Sequence, residues 1–203
     1  MNFESIVKNQ KFEAIVIGGS AGSFSVITQI LAELPQPFAL PIFMCLHRLK
    51  DKREGFKEAL EIKAKIKILE PDDKTPIENN IAYLAPANYH MLIENKNLIA
   101  LATTELVQFS RPSIDVMFES AADVFKDKLL AILLSGANKD GADGMKVIKQ
   151  RGGFTIIQDL STCTMVTMPE AALKNTTIDL QLKPNDICEF LKVLNRFILN
   201  EVL

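Results

Sequence analysis

The stretch EAIVIGGSAGSFSVITQILAEL (13–34) decides the fold. Residues 13–18 are a short apolar run, rich in β-branched side chains and closed by glycine. Residues 24–34 then carry apolar positions at helical spacing and stop at Pro35. This reads as strand, tight turn, helix, the opening unit of an α/β sheet. Ser20 sits on the turn in Gly18-Gly19-Ser20-Ala21-Gly22, a G-x-S-x-G pattern. The pattern places a serine on a sharp strand-to-helix turn, with small neighbours and with backbone N–H groups at the helix start. Two other readings of these glycines stay open: a plain tight turn, or a phosphate-cradling loop. Neither G-x-G-x-x-G nor the P-loop pattern is met, since no Lys-Ser or Lys-Thr follows.

Outward from this unit the chain keeps alternating. A second strand at 41–46 ends at His47, a charged helical stretch covers 50–61, and 66–69 reads as a third strand. The segments 81–85, 90–94 and 97–102 are short and separated by turn residues such as Asn88, Asn95 and Lys96, which predicts a small antiparallel insertion. Ser113 can cap a helix over 113–126, and a buried strand follows at 129–134. Next come a glycine-bearing loop to Gly141, a helix at 142–150, a strand at 154–157, a short helix near 169–175 and an amphipathic helix over 185–200. The expected class is α/β: a mostly parallel sheet with helices on both faces and a small antiparallel β insertion.

Composition limits what such a chain does. Its 203 residues suit one domain (1–203) with one substantial core, and 48% hydrophobic with 24% charged residues is an ordinary globular balance. A net charge of −2 gives no electrostatic footprint for nucleic acid, and no polybasic stretch invites an anionic membrane. No run reaches the roughly 18 apolar residues of a membrane span, and the N-terminus lacks a signal-peptide pattern, so a cytoplasmic protein is expected. Cys45, Cys163 and Cys188 are widely spaced, without a CxxC pair, and read as reduced core or helix residues; no metal and no cofactor is expected.

In open α/β sheets, ligands and catalytic groups gather where the strands end at their carboxyl side. A serine hydroxyl needs an adjacent base. Of the two histidines, His47 ends the second strand on the same rim as Ser20, whereas His90 opens a strand of the insertion. A carboxylate must then orient the imidazole. Asp140 follows strand 129–134 on that rim, although an aspartate there also suits a helix N-cap, and Asp143 and Asp115 compete for the role. A serine, a histidine and an aspartate at three strand ends make a candidate triad of Ser20, His47 and Asp140.

Several spaced segments together resemble the catalytic domain of the chemotaxis protein-glutamate methylesterases, the CheB family. They are IVIGGSAGS (15–23), CLHR (45–48), YLAPANYHM (83–91), RPSIDVMFESAA (111–122), LLSGANKDGADGM (133–145) and QDLSTCTMVTMPEAA (158–172). The resemblance implies a serine hydrolase that removes methyl esters from receptor glutamates, with glutamine deamidation as a further activity. It maps nucleophile, base and aspartate to Ser20, His47 and Asp140. Backbone N–H groups around Ala21 and Gly22, and at Gly136 and Ala137, become the candidates for holding an oxyanion. The family usually has a second glycine where this chain has Ser23, and Met-Gly where it has Ala137-Asn138.

The implied partner is a methylated chemoreceptor, placing the chain in chemotaxis signal transduction. Family members commonly carry an N-terminal receiver domain of the phosphorelay, and only about 12 residues precede the first strand here. Phosphorylation control in cis is therefore not expected, which leaves two alternatives, a constitutively active enzyme or one that works beside a separate signalling protein. The alternative from another class is a non-catalytic binding module that keeps the fold and a docking surface, with the altered loop at 137–138 as its support. A nucleotide-binding protein using the Gly18 to Gly22 turn is a third.

Overall fold

A computed structural model describes residues 2–47 and 55–201. In chain order it contains α1 (Phe3–Val7), β1 (Ala14–Gly19), α2 (Phe24–Glu33), β2 (Ile42–Leu46), α3 (Phe56–Glu61), β3 (Lys67–Leu69), β4 (Ile81–Leu84), β5 (His90–Asn95), β6 (Leu98–Ala102) and α4 (Ile114–Phe125). These are followed by β7 (Leu129–Leu133), α5 (Ala142–Gln150), β8 (Phe154–Gln158), α6 (Thr167–Asn175), β9 (Leu180–Leu182) and α7 (Pro184–Glu201). The part of the predicted 50–61 helix before residue 55 lies outside the described residues.

Seven strands form one sheet in the order β3-β4-β2-β1-β7-β8-β9, and every neighbouring pair is parallel. β5 and β6 form a separate antiparallel pair. The expected α/β architecture is present, with one correction. Residues 81–84 do not belong to the antiparallel insertion; they pair with β2 and β3 inside the main sheet. All four are buried, because Ala82 and Leu84 face one core while Ile81 and Tyr83 face the other. A strand covered on both faces lacks the polar alternation that marks a solvent-facing strand, so its short apolar run looks like its antiparallel neighbours.

Side-chain alternation builds a core on each side of the sheet. Ile15, Ile17, Ile42, Met44, Leu130 and Ile132 pack beneath α1, α2 and α7. Val16, Phe43, Cys45, Ala131 and Leu133 pack beneath α4, α5 and α6. Each fully buried Ile or Leu removes apolar area worth about 1.5–3 kcal/mol, so the three central strands β2, β1 and β7 anchor both layers. The chain adds its first strands on one side of β1 and then crosses, through β5, β6 and α4, to add β7, β8 and β9 on the other. That reversal at β1 is the topological switch point, where a crevice opens beyond the strand ends.

Gly18 lets the crossing helix come close. A Cβ at this position would lie 2.4 Å from Ile114 Cγ2 and 3.1 Å from Phe118 Cζ. The missing methyl group brings the N-terminus of α4 down onto the end of β1.

Candidate active site

The parallel register sets the candidate residues side by side. Gly19 is level with Leu46, and Gly18 with Leu133. Beyond the strands the ladder runs on for one step: His47 N donates to Gly19 O at 3.0 Å, and Ser20 N donates to Ser135 O at 2.9 Å. Ser20, His47 and Ser135 therefore leave three adjacent strand ends at the same height.

The serine turn is closed from within. Gly22 takes a φ of +84°, a left-handed conformation that suits glycine, and a Cβ there would meet Thr164 Cβ at 2.4 Å. Ser23, where the family usually has glycine, is buried and points its hydroxyl back to Ser20 O at 2.7 Å. The extra hydroxyl is thus absorbed as a turn-closing bond. Ser135 ties the turn to its neighbours, since its Oγ lies 2.8 Å from Ala21 O and accepts from Met165 N at 2.9 Å.

His47 Nε2 lies 2.8 Å from Asp140 Oδ2. Asp140 is fully buried, and its carboxylate is saturated with donors: Ile114 N at 2.8 Å on Oδ2, and Ser113 Oγ at 2.8 Å and Asp115 N at 2.9 Å on Oδ1. Burial alone pushes this carboxyl up. The hydrogen bonds from His47 and from the backbone of Asp115 and Ile114 outweigh it and hold Asp140 below the usual carboxylate range. Three of the donors belong to the start of α4, where the helix dipole also favours an anion. The N-cap role considered for Asp140 thus falls on α4; the N-cap of α5 is Gly141, at φ +97°.

Asp115 answers from the other helix. Its Oδ1 accepts from Gly141 N at 2.8 Å and Gly144 N at 2.7 Å, the first amides of α5. Burial, and then the charge of Asp140, push the Asp115 carboxyl up to about 7 against the pull of the Gly144 N–H.

The remaining candidates separate. Asp143 accepts from Asn175 Nδ2 on the surface of α5, away from the imidazole. His90 is fully buried, lies 2.9 Å from Glu105 O through Nε2, and accepts from Ser113 N through Nδ1 at 3.2 Å. It positions the residue that supports Asp140. Gly136, named among the oxyanion candidates, donates its N–H to Met165 O at 3.1 Å. Ala21, Gly22 and Ala137 are exposed at the rim, and their N–H groups make no hydrogen bond among the described residues. Burial pushes the Cys163 and Cys188 thiols up to about 11, so both are protonated and poorly nucleophilic at neutral pH. Among the described residues no group of three His, Cys, Asp or Glu is placed to hold a metal ion, and no helix is long and apolar enough to cross a membrane.

Sequence reading missed Ser135 as the tie between loops and Ser113 as a ligand of the Asp140 carboxylate. Their contacts span 114 and 27 positions along the chain, and no local pattern announces them. Asn138, noticed only as a departure from the family pattern, turns out to touch the imidazole: its Nδ2 lies 3.4 Å from His47 Nδ1.

A doubly wound parallel sheet with a serine turn and an imidazole–carboxylate pair at its switch point defines the class, an α/β protein whose rim is equipped for acid–base chemistry. The chain belongs to the CheB methylesterase family, whose model matches residues 15–191. A Leptospira interrogans protein described as a candidate protein-glutamate methylesterase/protein-glutamine glutaminase is 43% identical over 179 residues, covering 88% of this chain and 92% of that protein. The protein-glutamate methylesterase/protein-glutamine glutaminase of Clostridium acetobutylicum is 29% identical over 189 residues, 93% of this chain but 55% of the longer relative. In three dimensions the chain is similar to the crystal structure of the Thermotoga maritima CheB methylesterase catalytic domain, with a TM-score of 0.85 and 27% identity over 91% of this chain and 99% of the other.

Proposed function

We propose that this chain hydrolyses the methyl esters of glutamate side chains on methylated chemoreceptors, using Ser20 as nucleophile, His47 as base and Asp140 as the carboxylate that orients it. The observation that carries the reading is the 2.8 Å contact of His47 Nε2 with the buried Asp140 carboxylate, level with the serine turn. With Nε2 donating to Asp140, Nδ1 is the nitrogen left to accept a proton. Ser20 Oγ attacks the ester carbonyl and its proton passes to Nδ1. The tetrahedral oxyanion is met by backbone N–H groups at Ala21 and Ala137, and collapse expels methanol, which takes the proton from Nδ1. Water, deprotonated by the same nitrogen, then attacks the acyl-enzyme and frees Ser20 and the glutamate carboxylate. The same route releases ammonia from glutamine, in keeping with the glutaminase in the names of the relatives.

The rim supports a protein substrate. Among the described residues six large apolar side chains are exposed, Phe24, Ile62, Tyr89, Leu106, Phe109 and Met165; Phe24 opens the helix after the serine turn, and the Met165 backbone bonds Ser135 beside it. Phe109 is 92% exposed at the tip of a turn in which Gln108 and Phe109 both take positive φ. Gln108 borders the same depression as Lys139, the neighbour of Asp140. Exposed apolar side chains such as Phe24 and Met165, beside the serine turn, suit a polypeptide surface better than a small soluble ester. This reading places the reaction in the cytoplasm, on the receptor's cytoplasmic part.

The test is methanol release from methylated chemoreceptor preparations. Release by the wild type that is lost in both Ser20→Ala and His47→Ala supports the reading, and release that survives either substitution sinks it.

A further inference from the structure

We infer that Asn138 is a positioning residue that holds the acceptor nitrogen of His47 until substrate arrives, an inference that rests on the triad reading above. Both ring nitrogens have a neighbour. Nε2 faces Asp140 Oδ2 at 2.8 Å, and the donors gathered on that carboxylate keep it an acceptor, so the proton between them belongs to Nε2. Nδ1 of the neutral ring is then a bare lone pair. The Asn138 Nδ2 lies 3.4 Å from it.

The orientation of the amide is set by its other end. Asn138 Oδ1 accepts from Asp140 N at 3.3 Å, and an amide with its oxygen on that N–H turns its NH2 toward the imidazole. The Ser20 hydroxyl, meanwhile, makes no hydrogen bond among the described residues. The lone pair that must take the Ser20 proton is therefore met by Asn138.

This contact has two consequences. A donor at Nδ1 enforces the tautomer in which Nε2 carries the proton, the form a base working through Nδ1 requires. The same donor also blocks proton transfer, so the amide has to swing away before Ser20 Oγ can deliver its proton to Nδ1. Both Asn138 bonds are long, and a weak hydrogen bond shifts an equilibrium by no more than about tenfold. Such a clasp slows idle deprotonation of Ser20 and yields readily to a bound ester.

The experiment measures the rate at which a fluorophosphonate labels Ser20 in the wild type, Asn138→Gly and Asn138→Ala, with melting curves recorded for all three. Labelling about two- to tenfold faster in both variants is expected, from the loss of one weak competing bond. The acid limb of methanol release against pH should also move to higher pH, because the unprotonated ring loses a donor. A residue that merely props the loop would give slower labelling and an unmoved limb, and equal or slower labelling overturns the inference. Should Asn138→Gly fail to fold, Asn138→Ala, which retains a Cβ and its backbone restraint, decides. Labelling of the variants but not of the wild type supports both readings. If neither wild type nor variants are labelled at Ser20, the triad reading fails and this inference falls with it.

Discussion

Asp140 caps the helix that carries Asp115, and Asp115 caps the helix that Asp140 introduces. The two carboxylates lock α4 against α5, so the geometry of the imidazole partner depends on a residue that does not touch the imidazole. Removing the Asp115 side chain strands two amides, Gly141 N and Gly144 N, at about 1–3 kcal/mol each for a buried donor left unsatisfied. Asp115→Ala should lose about 2–6 kcal/mol in urea unfolding. Asp115→Asn keeps an oxygen for the same donors and should lose less than half of that.

The same pair predicts a pH signature. Asp115 titrates at about 7 when folded, against an ordinary value of 3.8, so the folded state holds the extra proton between these values. Its contribution to stability is complete below the ordinary value and is lost as pH rises through about 7. Asp140 runs the other way: held below its ordinary range, it contributes above that range and loses the contribution as pH falls through its folded value. Asp115→Asn removes the first dependence and keeps the second. Its unfolding midpoint in urea should gain on that of the wild type between about pH 4 and about pH 7; a constant difference would count against a raised Asp115.

Asparagine at position 140 cannot replace aspartate, for a reason visible in the count of donors. Four hydrogen bonds point at the carboxylate, and an amide offers an oxygen at only one end. Either the NH2 confronts Ser113 and Asp115, or it confronts His47 and Ile114 and reverses the imidazole tautomer. In a well-studied serine protease the reversed tautomer costs about 10⁴-fold in kcat. Asp140→Asn should lower methanol release on that order and lower the melting midpoint as well.

Much of the frame was legible because it rests on local pattern. The run 13–34 announces strand, turn and helix by composition and spacing alone, and Ser113 caps α4 as its position suggests. β4 was misassigned because burial on both faces erases the alternation that separates sheet types. β9 and α1, at three and five residues, are held by tertiary packing and were missed. At the site, residue types and strand ends were enough to nominate Ser20, His47 and Asp140. The partners of Asp140 on α4 and the contact from Asn138 to His47 join positions 25 to 91 residues apart, beyond any pattern read along one chain.

Gly18 links the sheet to this helix pair. A methyl group there would meet Ile114 Cγ2 at 2.4 Å, and Ile114 N is one of the donors on Asp140. Relief requires the first turn of α4 to lift, moving the carboxylate with it. Gly18→Ala should cost about 1–3 kcal/mol of stability by overpacking. It should also reduce kcat for methanol release beyond what the folded fraction at the assay temperature explains.

Phe109 tests the recognition of a protein substrate. A bulky residue with φ of +61° beside Gln108 at +47° is an unfavourable backbone state, and with the ring 92% exposed no burial within the chain offsets it. Such strain is retained where an exposed side chain meets something outside the fold. An aromatic ring anchoring a protein surface is typically worth more than about 1 kcal/mol of binding, or several-fold in affinity. Phe109→Ala should therefore raise KM for methylated receptor several-fold, and by a clearly larger factor than KM for a small methyl ester. Equal factors for the two substrates would place Phe109 in support of the catalytic loop, and no change in either would remove it from substrate recognition.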